Sequence, residues 1–394
     1  MIDIREARRL VMEAARRTAI AAVPISQATG RWNAEDIPSP HDHPLFDMSA
    51  VDGYAFAWDD GRSDFAVAGE VAAGSVFHRP LAKGECTRIF TGALIPEGAD
   101  TVVMQERTER NGDRMAFSDT KLKRGGNVRK RGEQLRTGEL LLGAGSLLDA
   151  PAVGLLASAG VRSVNVHERP RVNIVRTGGE FQGGASPEPG SIFSSNDAML
   201  TSALAEIGIA PSDPVFAPVD EAAALRSGFE KAISGCDVLI STGGVSVGDH
   251  DLVRPTLEAL GAEIVFHGVR QKPGKPMLFA RLENKLVFAL PGNPRAVMVG
   301  WWAYVLPLLR AMQGAAEPLL REEVLPIMEP IAVNGDRAEF RAAAVRNGVV
   351  SLLSNEGSHM LRSLLAANAL AVIEPTTDGS TARDRITVQY LPGR

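Results

Sequence analysis

Cysteine is almost missing from this chain: two in 394 residues, Cys86 and Cys236. They are far apart and show no metal-ligand spacing, which excludes a disulfide framework and points to a reducing compartment. An excess of positive charge is missing too. Lys and Arg total 42 against 47 Asp and Glu, for a net charge of −5, so nothing marks a nucleic-acid binder. No apolar run is long enough for a bilayer. The longest, Ala296 to Leu309, is bounded by Arg295 and Arg310, is interrupted by Pro307, and falls short of the roughly 20 residues a span needs. It reads as a buried helix. The basic N-terminal helix is not followed by an apolar signal core, and the expected location is the cytoplasm. Fixed-period repeats and low-complexity tracts are also lacking.

What remains is an ordinary soluble composition, 45% hydrophobic and 23% charged, in a chain too long for one core. Its centre is Val238-Leu-Ile-Ser-Thr-Gly-Gly-Val-Ser-Val-Gly-Asp-His-Asp251. A β-branched run of strand length stops at Gly243-Gly244, and a helical pattern follows with Val253, Leu257 and Leu260 on one face. Strand, glycine turn and helix bring backbone N–H groups toward an anion. Asp249 and Asp251 at the mouth would repel a bare phosphate but suit a metal ion beside one. Two further stretches share the form: Arg171-Val-Asn-Ile-Val-Arg-Thr-Gly-Gly-Glu180 and Leu286-Val-Phe-Ala-Leu-Pro-Gly-Asn-Pro294. In a parallel sheet all three turns emerge at the carboxyl edge, the usual ligand crevice.

The rest of the chain divides around this region. Residues 1–39 and 133–168 read as a helical and extended scaffold, opened by Asp3 and Glu6 in capping-box spacing, in which the helix near 150–161 packs with the N-terminal one. Residues 40–132 alternate short apolar pieces with Gly, Pro and Asn turns, as an inserted β-rich domain. Residues 169–315 carry the α/β alternation, with Asn196 and Asp220 as expected helix caps and a hairpin over Glu283-Asn284. Residues 316–394 read as a C-terminal β-rich domain. Trp301 and Trp302 suit core or interface packing. The basic cluster from Lys121 to Arg131 reads as a solvated face, and His41-Asp-His43 as a loop without metal.

Phe46-Asp-Met-Ser-Ala-Val-Asp-Gly-Tyr-Ala55, Thr91-Gly-Ala, Asn127-Val-Arg129, Thr177-Gly-Gly-Glu180, Gly243-Gly-Val-Ser-Val-Gly248, Lys272-Pro-Gly-Lys-Pro276 and Leu290-Pro-Gly-Asn-Pro294 occur in that order. Together they resemble the molybdopterin molybdenumtransferase (MoeA) family, related to the E domain of gephyrin. The resemblance implies a multidomain α/β plus β protein. Its parts are a central parallel, MogA/MoaB-like α/β domain, an inserted β-rich domain, a scaffold, and a C-terminal domain like a β-barrel. It implies an elongated homodimer with the site between one subunit's α/β domain and the other's insertion, and apo-molybdoenzymes or other cofactor-biosynthesis proteins as further partners. The implied reaction takes adenylylated molybdopterin and molybdate, with Mg²⁺, to molybdenum cofactor and AMP.

On this resemblance Gly243, Gly244, Ser246 and Gly248 cradle phosphate, Lys272 and Lys275 neutralise charge, and Pro291 and Pro294 shape the oxyanion loop. Glu180, Asp220 and Asp251 serve as carboxylates for catalysis, with Glu180, Asp249 and Asp251 as metal ligands. Asp52 and Thr91 act from the insertion. Two positions depart from the family pattern, Gly179 and Gln134, where Asp is usual. They keep open a second reading, a weakened paralogue that binds or delivers molybdopterin or finished cofactor. A third, a peptide-binding scaffold like gephyrin, has least support in the residues.

Overall fold

The computed structural model describes residues 1–181, 189–217, 222–245, 252–332, 335–354, 357, 359–375 and 382–393. Asp3 starts the first helix by accepting a hydrogen bond from the Glu6 N–H at 2.9 Å. Helix α1 (Ile4–Ala14) then buries Ile4, Ala7, Val11 and Ala14 along one stripe. The expected capping box is only half formed, because the Glu6 carboxylate turns to Arg9 at 2.7 Å. A second expectation also fails. Helix α2 (Ala150–Ser158) does not pack with α1: its Ala152 and Leu156 join Leu141, Leu148, Val164 and Val166, while α1 sits in the core of the α/β sheet. Amphipathicity tells which face of a helix is covered, and is silent about what covers it.

From this scaffold the chain departs to build a six-stranded sheet, ordered Thr101–Met104, Gly53–Phe56, Glu85–Ile89, Asp64–Val71, Arg114–Phe117 and Thr108–Asn111. Phe56 anchors it, with ring centroids of Phe65 and Phe117 at 4.6 and 5.3 Å.

The α/β region carries a second six-stranded sheet, ordered Val215–Ala217, Val172–Thr177, Val238–Thr242, Lys285–Leu290, Leu278–Leu282 and Glu263–His267. The first four strands are parallel, and the hairpin over Glu283-Asn284 makes Leu278–Leu282 antiparallel to its neighbours. Val238–Thr242 lies between two parallel partners and is buried at all five positions. A strand covered on both faces has no solvent side, which is why it opens on the apolar run Val238-Leu-Ile240 without polar alternation. Alternation still sorts its side chains. Ile240 joins α3 (Asn196–Glu206) on one face, and Leu239 joins α4 (Ala222–Ile233) and α5 (Val253–Ala259) on the other. Helices α6 (Pro294–Gly300) and α7 (Leu306–Met312), joined by a π-helical turn at Trp301–Val305, complete the first face and carry α1.

Five strands close into a barrel at the C-terminal end: Ala338–Arg346, Val349–Leu352, Glu322–Ala332, Ala382–Tyr390 and Ala369–Ile373, which returns to the first. Closure removes the exposed edges that an open sheet would present. Helix α8 (Arg362–Ala366) precedes its last pair of strands. Gln271–Lys272, from the α/β region, adds to Ala338–Arg346 in parallel and ties the two together.

Phe288 is fully buried, with the Phe279 ring 4.8 Å away. Phe288→Ala is expected to cost about 3–5 kcal/mol, read as a lower urea midpoint. Val324→Ala, at a side chain 54% exposed, should stay within about 0.5 kcal/mol.

Candidate active site

Three strand ends meet at the carboxyl edge of the parallel sheet. The Thr177 hydroxyl donates to the Thr242 carbonyl at 3.0 Å, and the Gly243 N–H donates to the Leu290 carbonyl at 3.0 Å. Gly243 has φ +89, and a Cβ there would lie 2.8 Å from both the carbonyl oxygen and the hydroxyl of Thr177. Only glycine fits this crossing. The next turn lies in ordinary contact with it, since a Cβ on Gly292 would stand 3.7 Å from the Gly243 Cα. Glu180 folds back over the first turn, its carboxylate 2.3 Å from where a Gly178 Cβ would be. Glu180, Gly243, Gly244 and Pro291 therefore share one edge. Pro294 opens α6 at a position where no N–H is needed.

The Lys272-Pro-Gly-Lys-Pro276 loop abuts that edge from the barrel side. A Cβ on Gly274 would touch Ala296 of α6 at 3.8 Å. Lys275 is exposed, and Lys272 is paired with Glu339 of the barrel at 3.2 Å. Ser246, Gly248, Asp249, Asp251 and Asp220 lie outside the described residues.

Asp52 and Thr91 meet one another in the insertion. One Asp52 carboxylate oxygen accepts from the Thr91 N–H at 2.8 Å and from its hydroxyl at 2.7 Å. These donors, the backbone N–H first, hold the Asp52 carboxyl below its ordinary range. Among the described residues no hydrogen bond or ion pair joins this pair to the carboxyl-edge loops of the same chain. Gln134 is exposed, its N–H bonded to the His43 carbonyl at 3.0 Å. Three members of the basic cluster are ion-paired: Lys130 with Asp47 at 2.9 Å, Arg131 with Asp42 at 2.5 Å and Arg124 with Asp100 at 2.7 Å.

Two residues of the edge escape a reading of the sequence. Asn196, expected as a helix cap, lies inside the first turn of α3, and its side-chain amide donates to the Gly292 carbonyl at 2.7 Å. Arg176 stands between the rings of Phe181 and Phe216, 5.4 and 5.0 Å from their centres, and pairs with Asp197 at 2.9 Å. The available signal was chemical type: polar residues where an apolar strand or helix face is due. Thr177, Asn196, Ser241 and Thr242 are all buried here. Such a concentration of buried polar side chains at strand ends is what a ligand crevice requires.

Neither cysteine belongs to this edge's chemistry. Burial pushes the Cys86 thiol up to about 12 and Cys236 up to about 11, which keeps both as poorly nucleophilic thiols. Among the described residues no three His, Cys, Asp or Glu side chains cluster as a metal group.

A parallel sheet with glycine turns at its carboxyl edge, a β insertion and a C-terminal barrel together define a multidomain α/β plus β protein. Residues 2–160 match the MoeA N-terminal region (domain I and II), residues 173–311 a probable molybdopterin binding domain, and residues 324–391 the MoeA C-terminal region (domain IV). The chain belongs to the MoeA family. It is 36% identical to the molybdopterin molybdenumtransferase of Nostoc sp. (88% of this chain, 83% of that one) and 35% identical to that of Bacillus subtilis (96% and 91%). The crystal structure of the molybdopterin biosynthesis MoeA protein from Pyrococcus horikoshii superposes with a TM-score of 0.84 at 29% identity, covering 99% of this chain and 100% of that one.

Gly243→Ala is expected to lose ligand binding at the edge and about 1–3 kcal/mol of stability, measured by denaturation beside a binding assay. Thr91→Val removes one of two donors to Asp52. Because that carboxyl titrates lower in the folded state, its hydrogen bonds stabilise the fold above the ordinary carboxylate range. The contribution fades as pH falls through the folded value. The substitution should raise the Asp52 titration midpoint, followed by carboxyl NMR.

Proposed function

We propose that this protein inserts molybdenum from molybdate into adenylylated molybdopterin, releasing AMP and forming molybdenum cofactor. The observation that carries the reading is the convergence of the Thr177, Gly243 and Pro291 turns on one edge, with Glu180 folded over the first. The relatives' shared name supports it, and the weakened-paralogue alternative is not favoured. Of the two departures, Gly179 adjoins an edge where Glu180 is in place, and Gln134 lies in an exposed turn of the ion-paired loop.

In this reading Gly243, Gly244, Ser246 and Gly248 bind the phosphates through backbone N–H groups, and Lys272 and Lys275 offset their charge. Lys272 then exchanges Glu339 for substrate, a surface pairing that costs little to break. The Pro291–Pro294 turn holds the oxyanion. Glu180, Asp220 and Asp251 orient water and move protons as oxo groups leave molybdate. The Glu180 carboxylate, folded over Gly178, and the Thr177 carbonyl and hydroxyl, against Gly243, are oxygen donors of the kind a hard cation takes. Glu180, Asp249 and Asp251 would hold Mg²⁺, which supplies charge neutralisation at the phosphates when bound.

We also propose a cytoplasmic homodimer in which Asp52 and Thr91 of one copy complete the other copy's edge. No helix among the described residues is long and apolar enough to cross a membrane. Support for the dimer is an apolar cleft of about 780 Å³ whose lining includes Trp32, Leu147, Trp301, Trp302 and Leu365. Leu365 is 77% exposed. Apo-molybdoenzymes or other cofactor-biosynthesis proteins are the further partners this role entails.

Incubation with adenylylated molybdopterin, Mg²⁺ and molybdate should release AMP. Glu180→Gln should slow that release by roughly 10²-fold, and Gln134→Asp should leave it within about threefold, as expected of an exposed site. Binding of molybdopterin without AMP release would overturn the insertase reading. Sedimentation equilibrium should give twice 41.9 kDa, moving toward a single chain in Leu365→Glu.

A further inference from the structure

Asn196 is the least expected residue of the edge. It is 3% exposed and is the first residue of α3. Its Nδ2 donates to the Gly292 carbonyl at 2.7 Å, while its Oδ1 is buried with no partner among the described residues. A buried amide that leaves its acceptor unused carries a desolvation penalty, so its position is set by the one bond it makes. That bond fixes a peptide plane. The Gly292–Asn293 bond is trans, and a trans peptide points its C=O and N–H in opposite directions. With the carbonyl held toward Asn196, the Asn293 N–H faces away from α3, on the open side of the turn. Gly292 and Asn293 are both exposed, and the Asn293 N–H has no acceptor among the described residues. Pro291 and Pro294 have no N–H to offer, so the backbone donors of this turn are those of Gly292 and Asn293, and the Asn293 N–H belongs to the peptide that Asn196 holds.

We propose that Asn196 is a positioning residue that locks the Gly292–Asn293 peptide so that the Asn293 N–H is presented to the molybdate oxyanion. The inference rests on the proposed function, in which this turn receives molybdate, and names the residue that pre-orients it. A donor held in place before the ligand arrives costs no reorganisation when charge must be stabilised. Without the Asn196 tether the peptide can rotate, and its carbonyl, a repulsive group for an oxyanion, shares the same space. The neighbouring charge does not compete for the tether, because Asp197 is paired with Arg176 at 2.9 Å.

Two variants test this, each compared with the unaltered protein by equilibrium dialysis with molybdate and by steady-state AMP release. Asn196→Ala removes the tether without adding charge. It should raise Kd and KM for molybdate by roughly tenfold, the loss of one well-placed hydrogen bond, while KM for adenylylated molybdopterin stays within about twofold. Asn196→Asp keeps the shape and replaces the donor with an acceptor. It should bind molybdate more weakly still at neutral pH and recover relative to the unaltered protein as pH falls and the introduced carboxyl gains a proton it can donate. A purely structural role for Asn196 predicts equal changes for both substrates and no recovery at low pH, and either result overturns the proposal. If the unaltered protein binds no molybdate, the oxyanion reading of the turn falls, and this inference with it. If it binds molybdate and Asn196→Ala binds equally well, only the inference falls.

Discussion

The hydrogen bond from the Gly243 N–H to the Leu290 carbonyl, with its neighbour from the Thr177 hydroxyl to the Thr242 carbonyl, is the constraint on which the site depends. Each crosses from the end of one parallel strand to the end of the next, beyond the last regular ladder pair. They bring three turns close enough that a single added Cβ at Gly243 would strike Thr177. Parallel neighbours must be joined by long crossovers, so stretches more than a hundred residues apart in sequence share one edge. The helices pressed on both faces of the sheet hold the strands in register, and the register places the turns.

The remaining parts can be understood by how they attach to that edge. The barrel reaches it through Gln271–Lys272, which is both a strand of the barrel and the start of the lysine loop. Helix α1 reinforces it from behind by packing on the π-helical turn at Trp301–Val305 and on α7. The insertion behaves differently. Its own phenylalanine cluster and the Asp52–Thr91 pair make it self-contained. The proposed dimer is what would bring Asp52 and Thr91 of one copy to the edge of the other.

Charge is distributed in keeping with this division. Away from the edge, Lys130, Arg131 and Arg124 each have a carboxylate partner at the surface, an arrangement that contributes solubility more than stability. At the edge the polar groups are buried and sparsely partnered, with Asn196 Oδ1 and Ser241 Oγ unpartnered among the described residues. Folding alone gains nothing from such groups, and they are not confined to the edge, since Asn33 Oδ1, Thr87 Oγ1 and Gln313 Oε1 share that state among the described residues.

The sequence by itself determined the elements. The β-branched run Val238–Thr242, the Gly243-Gly244 stop, the stripe of α1 and the Glu283-Asn284 hairpin were all legible, because periodicity and φ preference are local properties. It also marked Glu180, Gly243 and Pro291 as candidates, since a glycine or proline after a strand announces a turn. Only the tertiary structure decided who meets whom. It moved α1 from α2 to the α/β core, turned Asn196 from a helix cap into a partner of the Gly292 carbonyl, and joined Asp52 to Thr91 within the insertion. Those outcomes follow from packing between distant segments and from which carbonyl happens to lie within reach of which amide. Neither quantity has a signature in a window of neighbouring residues.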